Sequence, residues 1–152
     1  MMARIAQETE VALPYEQMLT ERAKWLEPET SELISYNACY TAHTLGAVAI
    51  VAYTRSGSTA GRVSKYRPRA PILAMTPSRI VLERLLLRWG VYPFQTSELS
   101  SVDELFTTGA KLAKDLGLAR SVENDPILGT GLSLDKAYQA AIVVAGQAGV
   151  KI

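Results

Sequence analysis

The run AVAIVAY at 47–53 admits few folds. It is continuously apolar, short and rich in β-branched residues, which is the pattern of a strand covered on both faces. PILAMT at 71–76 has the same character. VYPFQT at 91–96 reads as a third strand, placed at an edge by Pro93, and AAIVVAG at 140–146 reads as a fourth. Helical patterns lie between these runs. Strands buried on both faces and alternating with helices predict βαβ crossovers. The expected fold class is therefore α/β, a three-layer α/β/α domain with a mostly parallel sheet of four to five strands.

The helices are read from caps and apolar spacing. Residues 2–13 suit a short amphipathic helix that stops near Pro14, and residues 15–29 are polar with Met18, Leu19, Trp25 and Leu26 as anchors. Thr30 or Ser31 caps a helix over 32–45 that is expected to bury Leu33, Ile34, Ala38, Ala42 and Leu45, with Gly46 closing it. A helix over 57–66 opens straight off the first strand. Pro77 and Ser78 start another, with Ile80, Leu82, Leu85 and Leu86 as its apolar stripe and Gly90 at its end. Ser100 or Ser101 caps a last helix that runs to about Gly117.

With 152 residues, 48% of them apolar, one domain with its own core is expected. The formal net charge is only +1, yet Arg55, Arg62, Lys65, Arg67 and Arg69 fall in one stretch without an acid, so the remainder is acidic by balance. That asymmetry points to a local anion site and away from a protein that coats nucleic acid. One cysteine, Cys39, excludes an intramolecular disulfide and fits a reducing compartment. No apolar run has the roughly 18–20 residues that a membrane span requires, and the N-terminus lacks the apolar core of a secretory signal. A cytoplasmic location without membrane contact is expected.

The chemistry concentrates at TRSGST, where the first strand becomes a helix. Amides at a helix start point outward at the positive end of the dipole. Gly57 lets the backbone come close to a ligand, and Thr54, Ser56, Ser58 and Thr59 add hydroxyl donors. Arg55 and Arg62 are the nearest cations. These groups make a phosphate cradle; the bland alternative is that one hydroxyl caps the helix while the rest are solvated. KYRPRAP has a weaker claim, since nucleic-acid binding calls for more exposed aromatics than Tyr66. Neither G-x-x-x-x-G-K-[ST] nor G-x-G-x-x-G occurs. His43 and Cys39 lie four apart but have no further ligands to share a metal with. No catalytic constellation is found.

The ordered phrases of AIVAYTRSGSTAGRVSKYRPRAPILAMTPSRIVLERLLLRWGVYP resemble the carboxy-terminal domain of pyruvate kinase. The match includes a T-x-S-G-x-[ST] loop, S-K-Y-R-P-x-A-P-I, T-P and W-G-V-Y-P. ARIAQETEVALPY is similar to the last helix of that family's catalytic barrel, so residues 1–29 resemble the barrel's end and linker, and 30–152 the α/β domain. The resemblance implies a regulatory domain linked to glycolysis that binds a phosphorylated effector, a sugar phosphate or nucleotide, at Thr54, Arg55, Ser56, Gly57, Ser58 and Thr59. It implies no cofactor here, because the family's magnesium and potassium belong to the barrel, and no catalysis by this chain alone. Expected partners are further copies of the chain or a barrel-containing pyruvate kinase subunit. The alternative is a non-catalytic structural or oligomerisation module, or a separate piece of a pyruvate kinase that acts only with such a subunit.

Two departures bear on the site. FQTSELSSVDELF lacks the tryptophan and arginine with which bisphosphate-activated members close a second phosphate. After Leu118 the family pattern degrades, and the chain ends at GQAGVKI where members continue into a fifth strand.

Overall fold

The computed structural model describes residues 2–99, 101–118 and 142–145. The apolar runs form β1 (Ile50–Tyr53), β2 (Ile72–Thr76), β3 (Val91–Gln95) and β4 (Ile142–Ala145). They make one sheet in the order β3-β2-β1-β4, with every pairing parallel. Every residue of β1 and β2 is buried, as expected for strands covered on both faces. β3 takes an edge, where the missing N–H of Pro93 is tolerated. The family's closing segments fall in 119–141 and 146–152, outside the described residues.

The helices are α1 (Met2–Val11), α2 (Tyr15–Ala23), α3 (Thr30–Leu45), α4 (Ser58–Lys65), α5 (Arg79–Leu85) and α6 (Val102–Asp115). Alternation along the strands sends side chains to two separate cores. Ile50, Ala52, Ile72 and Ala74 face α3 and α4, where they meet Ala38, Cys39, Ala42, Ala60 and Val63. Val51, Tyr53, Leu73 and Met75 face α6, where they meet Leu105 and Ala113. A helical layer thus covers each face of the sheet. On the α6 side a Cβ added to Gly109 would lie 2.7 Å from Val51 Cγ1, so the missing side chain allows α6 to sit close to β1.

Two helices turn differently from their apolar spacing. α3 buries Ala38 and Ala42 as expected, together with Glu32, Ser35 and Cys39, but Leu33, Ile34 and Leu45 are exposed. The small residues let the helix approach α4 and the sheet closely, which turns the larger ones outward. α5 buries Val81 and Leu85, while Ile80 and Leu86 of the expected stripe are exposed. The cause is the contact with the preceding crossover. A Cβ on Gly57 would lie 3.2 Å from Val81 and 3.5 Å from Leu85, so these two side chains fill the space that the glycine leaves.

Candidate functional site

β1 leads to β2 and β3 on one side of the sheet, whereas β4 returns to its other side. The strand order therefore reverses at β1, and in open α/β sheets ligands gather at the carboxyl ends of strands beside such a reversal. Residues 54–57 leave β1 at that end and enter α4.

The loop is shaped by its own groups. Thr54 is buried, and its Oγ1 accepts the Gly57 N–H at 2.8 Å. This bond bends the chain so that Gly57 takes the left-handed conformation, φ 86°, as the residue before α4. No side chain caps α4. The nearest approach is Ser58 N–H to Ser56 Oγ at 3.4 Å, and the two serine hydroxyls lie 3.0 Å apart. Thr59 is buried in the first turn. Arg55 is drawn elsewhere, to Glu98 at 3.4 Å in the segment after β3. The six residues singled out in the sequence thus divide into groups that shape the loop (Thr54, Gly57), groups presented at its surface (Ser56, Ser58), a residue largely buried in the first turn (Thr59) and a cation paired away from it (Arg55).

A groove of about 570 Å³ opens between α4 and α5, with Ser56, Gly57 and Ser58 at one end. Arg62 and Lys65 line it from α4, and Arg84 and Arg88 from the α5 side, above Val81 and Leu85. The α4 cations are already engaged. Lys65 Nζ lies 2.9 Å from Glu32 Oε2, and Arg62 lies 3.4 Å from Glu29 and 3.8 Å from Glu32. Glu32 is itself buried and accepts the Tyr66 hydroxyl at 2.5 Å. That hydrogen bond, helped by Lys65 and Arg62 and opposed by burial, holds the Glu32 carboxyl below its ordinary range. Burial, and then the Glu32 carboxylate, push the Tyr66 phenol up.

Arg84, Arg88 and the partnership of Glu32 with Tyr66 are not among the features that the sequence pattern singles out. The four-residue spacing of Arg84 and Arg88 was available as a signal, since it puts both on one side of a helical turn. The other cations of KYRPRAP scatter. Arg67 stands over the Trp89 ring, 5.8 Å from its centroid, and Arg69 lines a smaller cavity before the amino ends of β1 and β2. Cys39 and His43 do not converge. Cys39 is buried, donates to Val63 O at 3.6 Å and has its thiol pushed up to about 12 by burial, whereas His43 is exposed. Among the described residues no three His, Cys, Asp or Glu side chains gather as metal ligands, and no helix is long and apolar enough to cross a membrane.

Comparison with known proteins agrees with this architecture. The family model described as "Pyruvate kinase, alpha/beta domain" matches residues 32–149. The pyruvate kinase of Clostridium acetobutylicum is 44% identical over 116 residues, 76% of this chain and 24% of that protein. That of Geobacillus stearothermophilus is 37% identical over 119 residues, 78% of this chain and 20% of that protein. A crystal structure of Cryptosporidium parvum pyruvate kinase superposes with a TM-score of 0.74 at 26% identity, covering 79% of this chain and 25% of that one. The chain spans a quarter or less of the length of these relatives, and the matched portion is distinct from the larger catalytic barrel. By the extent of the family match and the shared three-layer fold, the chain belongs to the family of the pyruvate kinase alpha/beta domain.

Proposed function

We propose that this chain acts as a regulatory domain of the pyruvate kinase type, binding a phosphorylated metabolite at residues 54–59 and catalysing nothing by itself. Residues 1–29 are then the end of a barrel and its linker, and residues 30–152 the regulatory unit, working in the cytoplasm with further copies of itself or with a barrel-containing subunit. The observation that carries the reading is the start of α4, which has no side-chain cap and stands at the strand reversal with Ser56 and Ser58 beside it. Free amides at a helix start, two adjacent hydroxyls and a backbone bent toward the opening are the donors that a phosphate needs. Thr54 and Gly57 then serve by holding the loop, and Thr59 by presenting its amide and hydroxyl from the first turn.

Calorimetric titration with inorganic phosphate, ribose 5-phosphate, AMP and fructose 1,6-bisphosphate tests the assignment. Ser56→Ala is expected to weaken the bound ligand by about 1–2 kcal/mol, the worth of one lost hydrogen bond to an anion. Equal affinity in Ser56→Ala, Ser58→Ala and the parent protein would overturn it. A second reading, an oligomerisation module, is favoured by the outer side of α3, where Leu33, Ile34, Tyr40 and Leu45 are exposed. Sedimentation of the parent protein and of Ile34→Glu tests it, with a shift to monomer expected in the variant.

A further inference from the structure

We propose that Glu98 is a built-in competitor for the anion at the loop after β1, holding Arg55 in an ion pair that the ligand must break. The inference rests on the phosphate reading of residues 54–59 and extends it to how that site is held in check. Arg55 is the one charged residue in the stretch 54–59. Its Nη2 lies 3.4 Å from Glu98 Oε1, so the charge of the loop is already countered from within the chain.

The fold brings the acid to the loop. β1 and β3 are not neighbours in the sheet, because β2 lies between them. The segment after β3 begins pinned to the end of β2, where the Thr96 N–H donates to Thr76 O at 3.0 Å. It ends in the core on the α6 side, where Leu99 packs against the cluster that includes Val51, Tyr53 and Leu105. Glu98 stands between these two anchors, and Arg55 follows two residues after Tyr53 of the same cluster. Both partners are therefore held in place by buried neighbours, while the pair itself lies open to water, with 45% of the Arg55 side chain and 69% of the Glu98 side chain accessible. Exposed ion pairs are weak and readily broken. A guanidinium forms stronger, paired and charge-assisted bonds to a phosphate. A phosphate seated on the loop amides can thus draw Arg55 from Glu98, but only by breaking the resident pair. The affinity of the loop is then set in part by an acid that never touches the ligand.

The test is a titration of the full chain with inorganic phosphate at fixed ionic strength, with affinity read from the amide resonances of Gly57, Ser58 and Thr59. Glu98→Gln is expected to bind phosphate about threefold tighter than the parent, the scale of one exposed ion pair. In the Arg55→Gln background the same change is expected to alter affinity by less than about 1.5-fold, since the two residues act as one unit. Glu21→Gln removes another exposed carboxylate, paired with Lys24 in α2, and is expected to leave affinity as in the parent. Thermal melts of each variant establish that it is folded. Unchanged or weaker binding in Glu98→Gln, an equal gain without Arg55, or the same gain in Glu21→Gln overturns the inference. The loop reading still stands in those cases if Ser56→Ala weakens phosphate binding. Absence of phosphate binding by both the parent and Glu98→Gln overturns both.

Discussion

At the carboxyl end of β2 the turn into α5 is closed by its own side chains: Thr76 Oγ1 accepts the Ser78 N–H at 3.3 Å, and Ser78 Oγ accepts the Val81 N–H at 3.4 Å. The start of α6 is closed in the same way, with the Glu104 N–H on Ser101 Oγ at 3.1 Å. At the carboxyl end of β1 the hydroxyls are more numerous, yet α4 begins without a side-chain cap. There the Thr54 hydroxyl is committed to Gly57 N–H and Ser56 Oγ accepts the Ser58 N–H at 3.4 Å, so the side-chain bonds stay on the residues that open the turn and no capping side chain reaches further into α4. A hydroxyl-rich turn is therefore no guide to whether a helix start is satisfied. What distinguishes the turns is where each oxygen is aimed, and the helix whose first turn receives no capping side chain starts where the strand order reverses.

Substitutions at four positions break or sharpen that contrast. The largest effect is expected at the far end of α4, where the Glu32–Tyr66 bond braces the helix that lacks a cap. Glu32→Ala leaves the Tyr66 hydroxyl buried without its acceptor and should destabilise the domain by about 2–3 kcal/mol in urea unfolding. Because the folded-state pKa of Glu32 is lowered, its contribution is complete above the ordinary carboxylate range and is lost as pH falls through the folded value. Melting temperature in acid should accordingly fall less for Glu32→Gln than for the parent.

Next comes Gly57→Ala, which forces a side chain into the left-handed region and within 3.2 Å of Val81. A loss of about 1–2 kcal/mol is expected from the backbone alone, together with loss of phosphate binding as the loop shifts. The smallest effects separate the two kinds of helix start. Ser78→Ala removes a cap and should cost about 1 kcal/mol of stability while leaving ligand affinity unchanged. Ser56→Ala should do the reverse, with stability within about 0.5 kcal/mol of the parent and weaker binding. Equal loss of stability in Ser56→Ala would mean that Ser56 serves as a cap after all.

The sheet was readable from the chain because β1 and β2 are covered on both faces, so no competing pattern obscured their apolar runs. Pro93 likewise announced an edge strand through the one donor it lacks. The phases of α3 and α5 were not readable. Their buried faces are chosen by contacts across the crossovers, the small side chains of α3 against α4 and the Gly57–Val81 packing, and local spacing contains neither. The loop was legible as a concentration of donors, but not the division of labour within it. Nothing near Arg55 in the sequence announces Glu98, and Glu32 meets a phenol 34 positions away. The spacing of Arg84 and Arg88 was visible, but the groove they line was not, since it follows from which residues α5 buries, with Arg88 just past the end of that helix.

The strand order has a consequence for synthesis. β1 can pair with β2 as soon as the α4 crossover has been made, but its other edge waits for β4, which comes after β2, β3, α5 and α6. During that interval a strand destined to be wholly buried carries an open ladder of N–H and C=O groups, the kind of edge on which unfinished chains stick to one another. Late, long-range pairing also slows folding, because the loop must close before any contact rewards it. A nascent or truncated chain that lacks Ile142–Ala145 is thus the form of this protein most exposed to aggregation, and the strand that flanks the candidate ligand site is the one left uncovered.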